Sequence, residues 1–234
     1  MGSGEFMLKY RKDMRGFTLV ELLVVIAILS MLIGLMLPSM SKARTRARDA
    51  QCLSHLHSLY IATTEYLHDY DVFPEMNNDV NEGAWQYNYV IYDGRDFESN
   101  FGPLVADERT IDDLRILFCP RQTDPYHSFA TAENPWPVVP LLDTRAGYGR
   151  RYNLGGKSLA QLRGNPGIMA DIFHLPKVIK TGHEDGINAV YLDGSARFVP
   201  DRGKFTDSEL THPFEIVDND IVEDLWDYIN RATP

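Results

Sequence analysis

The sequence predicts an α+β fold in which one long N-terminal α-helix packs on a C-terminal antiparallel β-sheet. Three observations predict it. From Phe17 to Leu37 run 21 residues in which only Thr18, Glu21, Ser30 and Gly34 interrupt the apolar side chains. About 20 such residues span a hydrocarbon core. Beyond Pro38, residues Leu53, Leu56, Tyr60, Thr63, Leu67 and Tyr70 recur at alternating spacings of three and four, which is one stripe of an amphipathic helix. After Tyr70 the texture changes to short β-rich runs separated by proline- and glycine-containing segments, the pattern of strands joined by turns.

Taken in order, the helix runs from Phe17 to about Tyr70, roughly 54 residues or on the order of 80 Å at 1.5 Å per residue. Pro38 is the expected kink, because proline removes a backbone donor and crowds the preceding turn. Residues 71–83, with Pro74, Asn77, Asn78, Asp79 and Asn81, read as loop. Strands are expected at Trp85–Tyr92, Leu114–Phe118, Tyr148–Asn153 and Ile168–Ile172, with a short helix at Ser158–Leu162. Ile187–Leu192 and Ser195–Val199 flank Asp193-Gly194. An aspartate–glycine pair between β-rich runs predicts a two-residue hairpin turn with positive φ at both positions. Over Ile216–Ile229, residues Ile221, Leu225, Trp226 and Ile229 at helical spacing predict a terminal helix.

The formal charge is −10. Removing residues 1–16 takes away Lys9, Arg11, Lys12 and Arg15 with Glu5 and Asp13, and the charge becomes −12. So acidic a chain argues against nucleic acid as a partner, since that role needs a basic face. Met1 to Phe6 read as an expression scar, with Met7 as the native start. Four basic residues precede the apolar run, and Lys42, Arg44, Arg46 and Arg48 follow it, so the positive-inside count decides no orientation. A lone carboxylate such as Glu21 inside a membrane-length helix is costly and marks function. An ordinary secretory signal would place its cleavage site after the apolar region, not before it.

The run Arg15-Gly16-Phe17-Thr18-Leu19-Val20-Glu21, followed by the apolar stretch, resembles the class III signal of type IV prepilins and pseudopilins. The resemblance implies that a prepilin peptidase cuts after Gly16 and that Phe17 becomes an N-methylated N-terminus. It implies that Glu21 pairs with the N-terminal amine of a neighbouring subunit, which compensates a carboxylate in lipid. The expected domains are a leader at 1–16, a transmembrane and assembly helix at 17–38, the amphipathic second half of the helix at 39–70, and an extracytoplasmic globular domain at 71–234. The leader would lie in the cytoplasm, the helix in the inner membrane as a single pass, and the C-terminal domain in the periplasm. The implied partners are other pilin or pseudopilin subunits and a secretion or pilus assembly machinery. The implied function is that of a structural subunit of a type II secretion-like or type IV pilus-like filament.

A second resemblance lies further on. His183, nine intervening residues and Asp193-Gly194 are similar to the H-x9-DG element of prepilin-like proteins common in planctomycetes, verrucomicrobia and lentisphaerae. Ser41-Lys42-Ala43-Arg44, the Cys52 segment, Asp69-Tyr70-Asp71 before Phe73-Pro74, and Phe118-Cys119-Pro120 resemble the same group. Leu53-Ser54-His55-Leu56-His57 departs from it, because relatives carry an asparagine–leucine–lysine run there.

Cys52 and Cys119 form an even pair in a chain assigned to an oxidising exterior, so they are disulfide candidates, with two buried thiols as the alternative. So few thiolates without paired spacing give no zinc motif. Asp171, His174, His183, Glu184, Asp185 and Asp193 are candidates for a metal-dependent surface enzyme. Against it, the turn explains Asp193, His183 reads as a cap for backbone groups, and no nucleophile elbow, His-Glu-x-x-His pair or phosphate loop is present. Catalysis is therefore not expected, nor is a cofactor. Major pseudopilins carry a calcium loop, and Asp69 with Asp71, Asn77 with Asn78 and Asp79, or Asp218 with Asp220 are the calcium candidates, although none completes an EF-hand. A membrane-anchored binding protein that never polymerises is the alternative function.

Overall fold

In a computed structural model of the chain, helix α1 runs from Leu19 to Tyr70. The structure describes residues 18–76, 88–98, 100–106, 110–173, 176–183, 185–205 and 219–232. The chain divides into two units, Met1–Arg44 and Thr45–Pro234, and α1 contributes to each.

In the first unit the apolar run forms helix and buries nothing. Leu19, Leu22, Ile26, Leu29, Ile33 and Leu37 are all exposed, and a Cβ added at Gly34 would meet no atom within 4 Å. Helix satisfies every interior backbone donor and acceptor within the segment itself, which is what lipid demands. Among the described residues this is one helix long and apolar enough to cross a membrane. It continues through Pro38, where Ser39 Oγ donates to Met36 O (2.8 Å).

In the second unit α1 buries Cys52, Leu56, Leu59, Ala62, Thr63 and Leu67. The buried seam therefore lies beside the expected stripe. Leu53 and Tyr60 are half-buried and Tyr70 is exposed, because small residues (Cys52, Ala62) take the close-packed positions against the sheet. Strand β1 (Val90–Asp93) pairs antiparallel with β2 (Asp143–Arg145). Of the expected strand Trp85–Tyr92, residues 85–87 lie outside the described residues. Helix α2 (Gly102–Ala106) follows β1.

The expected strand Leu114–Phe118 is instead a 3-10 turn at Leu114–Leu117, because Asp113 caps it by accepting the Arg115 N–H (3.0 Å). β3 (Tyr148–Arg150) ends earlier than expected and passes into a 3-10 turn at Tyr152–Leu154. Leu159–Gln161 forms a 3-10 turn closed by a Ser158–Gln161 capping box.

β4 (Gly167–Asp171), helix α3 (Pro176–Gly182), β5 (Gly186–Tyr191) and β6 (Ala196–Pro200) complete a four-stranded antiparallel sheet of order β3-β4-β5-β6. Successive side chains of β4 and β5 point to opposite faces. Met169 and Val190 join the core shared with Leu56 and Leu59 of α1. Ala170, Ala189 and Tyr191 join a second core with Val222, Leu225, Trp226 and Ile229 of helix α4 (Asn219–Arg231). The second unit is thus helix, sheet, helix in three layers, and both central strands are buried along their whole length. The architecture is pilin-like α+β: a long N-terminal helix followed by antiparallel sheet.

The hairpin between β5 and β6 differs from the expected two-residue turn. Val190 pairs with Ala196, and the Tyr191 N–H donates to Ser195 O (2.9 Å), which leaves Leu192, Asp193 and Gly194 as a three-residue loop. Only Gly194 among them has positive φ, at 81°. That is the three-residue hairpin geometry with glycine in the left-handed position. Asp193 Oδ1 accepts from Ser195 N (2.9 Å) and Ser195 Oγ (2.6 Å), which closes the turn by a side chain and holds the carboxyl below its ordinary pKa.

Candidate functional site

The first candidate site is the start of α1. Gly16 and Phe17, the expected cleavage and methylation positions, lie outside the described residues. Thr18 and Glu21 form a reciprocal cap. The Thr18 N–H and hydroxyl donate to Glu21 Oε2 (2.8 and 2.7 Å), and the Glu21 N–H meets Thr18 Oγ1 (3.2 Å). This is a capping box, T-x-x-E ahead of an apolar run. Glu21 thus satisfies orphan donors of its own helix and sits at the positive end of the helix dipole. The signal was available in the sequence as that four-residue pattern. Lys42, Arg44, Arg46 and Arg48 are exposed on α1.

The second candidate site surrounds His183, which α3 delivers at its C-terminal end, where the His183 N–H bonds Ile179 O (3.1 Å). The ring does not cap backbone, as the sequence suggested, but meets side chains. Nδ1 lies 3.2 Å from Asp49 Oδ1 of α1, and the Arg121 guanidinium donates to the same oxygen (2.8 Å). Nε2 lies 2.8 Å from Asn188 Nδ2, 3.2 Å from Cys119 Sγ and 3.3 Å from Asp171 Oδ2. With the Asn188 amide donating to Nε2, the ring proton belongs on Nδ1, facing Asp49.

Asp171 is buried on β4. Its Oδ2 accepts the Asn188 N–H (2.6 Å), while Oδ1 has no hydrogen-bond partner among the described residues. Burial pushes its carboxyl above the ordinary carboxylate range against the opposing pull of His183 and Asn188.

Cys52 and Cys119 form a disulfide across a separation of 67 residues, with Cα atoms 5.1 Å apart. It ties α1 to the segment before Pro120 and stabilises by about 4 kcal/mol through loop-closure entropy. A small cavity with room for about one water molecule is lined by Cys119, Asp171, His183, Gln122, Gly147 and Gly186 among others. Among the expected enzyme candidates, the fold brings Asp171 and His183 together. Asp185 is exposed, Asp193 belongs to the hairpin, and His174 and Glu184 lie outside the described residues. Asp49, Arg121 and Asn188 were not anticipated, since they come from segments far apart in sequence.

The hairpin tip is a third point of attachment to α1. His57 Nδ1 meets Gly194 O (3.1 Å), the Tyr60 hydroxyl donates to Leu192 O (3.0 Å), and a Cβ on Gly194 would come within 2.8 Å of the Tyr60 ring. His55 Nδ1 meets Phe118 O (2.9 Å). The two histidines of the divergent Leu53–His57 run therefore clamp two loops onto the helix. Asp71, a calcium candidate, has a structural role: at φ 63° it ends α1 by donating its N–H to Leu67 O (2.9 Å), a left-handed helix terminus. Asp69 is exposed, and Asn77, Asn78, Asp79 and Asp218 lie outside the described residues.

Comparison with known proteins bears on the first site. Residues 11–37 match the family described as the prokaryotic N-terminal methylation motif. The chain is also similar to the type IV major pilin protein PilA of Myxococcus xanthus (strain DK1622), at 30% identity over 80 residues, 33% of this chain. The chain spans about a third of that relative's length, 36%. No solved structure matches the chain. The motif, the long N-terminal helix and the similarity to that relative fit a type IV pilin-like protein. They are consistent with membrane anchoring by the apolar helix.

Proposed function

We propose that the chain is a filament subunit that polymerises through its N-terminal helix after a prepilin peptidase cuts behind Gly16. The observation that carries this reading is the motif at residues 11–37 on a helix whose apolar side chains are bare in the single chain. Such a helix is complete only against lipid or against other copies. The membrane holds the subunit before assembly, with the C-terminal domain in the periplasm, and the product is a type II secretion-like or type IV pilus-like filament. A subunit joined head to tail through unlike surfaces grows into an open helix rather than a closed ring. Methylated Phe17 then presents its amine to Glu21 of a neighbour. Glu21 gives up the Thr18 donors for a charge-assisted bond, which is about twice as strong as a neutral one. Assembly of this kind calls for no cofactor and no calcium.

Intact mass and N-terminal sequencing of the protein from its native membrane test the processing step. The expected chain starts at Phe17, with or without a methyl group. A chain that keeps its leader beside an active peptidase overturns the reading. Glu21→Ala then tests assembly: filaments are lost while membrane insertion stays normal. Insertion without filaments in the parent as well would favour a membrane-anchored binding protein, in which Glu21 serves only as the cap of its own helix.

A further inference from the structure

The cluster around His183 has a property that assembly does not use. Cys52 Sγ, Cys119 Sγ and a His183 ring nitrogen lie within 4.8 Å of one another, all on buried residues. Asp171, whose Oδ1 has no hydrogen-bond partner among the described residues, lines the same small cavity as Cys119 and His183, its Oδ2 lies 3.3 Å from His183 Nε2, and its side chain is only 9% exposed. Asp49 stands at the far ring nitrogen of His183 at 3.2 Å, the position a carboxylate takes when it orients a histidine toward a metal.

We propose that Cys52, Cys119, His183 and Asp171 form a redox-gated zinc site, closed by the disulfide and open to one Zn2+ when both cysteines are reduced. Two thiolates, one imidazole and one carboxylate make a tetrahedral donor set of the kind zinc takes. Two sulfurs on one zinc at about 2.3 Å each stand about 3.8 Å apart, so each retreats by less than about 1 Å from its place in the disulfide. Cα atoms 5.1 Å apart allow this by side-chain rotation.

The chemistry balances. An external dithiol gives two electrons and two protons to the S–S bond, becomes a disulfide itself and leaves two thiols. Zinc then displaces both thiol protons to solvent. The Asp49 carboxylate holds the His183 proton on Nδ1, so that Nε2 can exchange the Asn188 amide, 2.8 Å away in the oxidised chain, for the metal. The site would replace one cross-link between α1 and the Cys119 segment by another, which keeps the second unit joined when its disulfide is open.

The test uses the full chain in detergent, oxidised or reduced with a phosphine, which takes its oxygen from water and does not compete for metal as a dithiol would. Zn2+ alone is titrated, and Co2+ is substituted for its spectrum. The expected result is one equivalent bound by the reduced chain, with a thiolate-to-cobalt charge-transfer band, and none bound by the oxidised chain. Asp49→Asn should weaken reduced-state binding by about 10–100-fold while near-ultraviolet circular dichroism shows the oxidised fold unchanged. His183→Ala should remove the tetrahedral cobalt signature. The proposal is overturned if the reduced chain takes up no stoichiometric metal, or if it binds equally well in both variants, which would mean capture by loose thiols.

Discussion

His127 occupies a place where a charge cannot be tolerated. It is 3% exposed, its ring stands edge-on to Tyr89 at 5.2 Å, and Nδ1 meets Ala146 O at 3.2 Å. Because a carbonyl only accepts, Nδ1 carries the proton. Burial lowers the His127 pKa to about 4, outweighing the backbone bond and the nearby Asp124 carboxylate. A histidine whose folded pKa is depressed contributes stability that is complete above its unfolded value near 6.5 and is lost as pH falls toward about 4. The loss amounts to about 3 kcal/mol by pH 4. Urea unfolding of the parent and of His127→Gln at pH 7 and pH 4.5 isolates this share. The gap between the two proteins at pH 7 should shrink or reverse at pH 4.5, because glutamine cannot charge. Parallel losses in both would show that another group governs the acid limb. The residue scale also explains Gly194, where positive φ and the Tyr60 ring together leave no room for a Cβ.

At the scale of elements, α4 is a separate packing layer with one dominant side chain. Trp226 is fully buried against Phe173, 5.2 Å between ring centroids, and Val222, Leu225 and Ile229 flank it along the same face. Trp226→Ala should cost about 3–5 kcal/mol, the range for deleting a buried large aromatic. Since Trp226 Nε1 has no hydrogen-bond partner among the described residues, Trp226→Phe forfeits no bond to them and should cost clearly less. Denaturant midpoints of the two variants check the order, and equal losses would mean that the indole shape rather than its volume matters.

This helix was legible in the sequence because Leu225, Trp226 and Ile229 keep helical spacing. β5 and β6 were legible because Asp193-Gly194 separates two β-rich runs, and β4 because Ile168–Ile172 is a short apolar run of its own. Leu114–Leu117 was misread since an alternating Leu-Arg-Ile-Leu pattern looks like strand, while the Asp113 cap that makes it a turn is a local polar contact. β2 gave no signal, being three residues long with polar ends. The same contrast holds for the sites. Gly16, Phe17 and Glu21 lie in one continuous motif, so the proposal for them rests on neighbouring residues alone. Asp49, Cys119, Asp171, His183 and Asn188 come from distant segments, so no spacing in the chain announces that they meet.

For the molecule as a whole, the two units obey different solvents. None of the most apolar window of α1 is buried, whereas residues from Thr45 onward hold both cores, the disulfide and the four-stranded sheet. A chain shortened to residues 45–234 keeps Cys52, Leu56, Leu59 and Leu67 of α1, and with them the face that packs on the sheet. It should therefore fold in plain buffer as a monomer and unfold in one cooperative step. The full chain should require detergent or lipid, because burying its bare leucines and isoleucines against water-free neighbours is worth about 25 cal/mol per Å² of apolar surface. Sedimentation and thermal unfolding of the two proteins check this. Reduction of the shortened chain in the absence of metal should then lower its stability by about 4 kcal/mol, the loop-closure share of the disulfide. A shortened chain that is unfolded or aggregated would show that the first 44 residues are needed for the core, and the division of labour between an assembly helix and an independently stable domain would have to be abandoned.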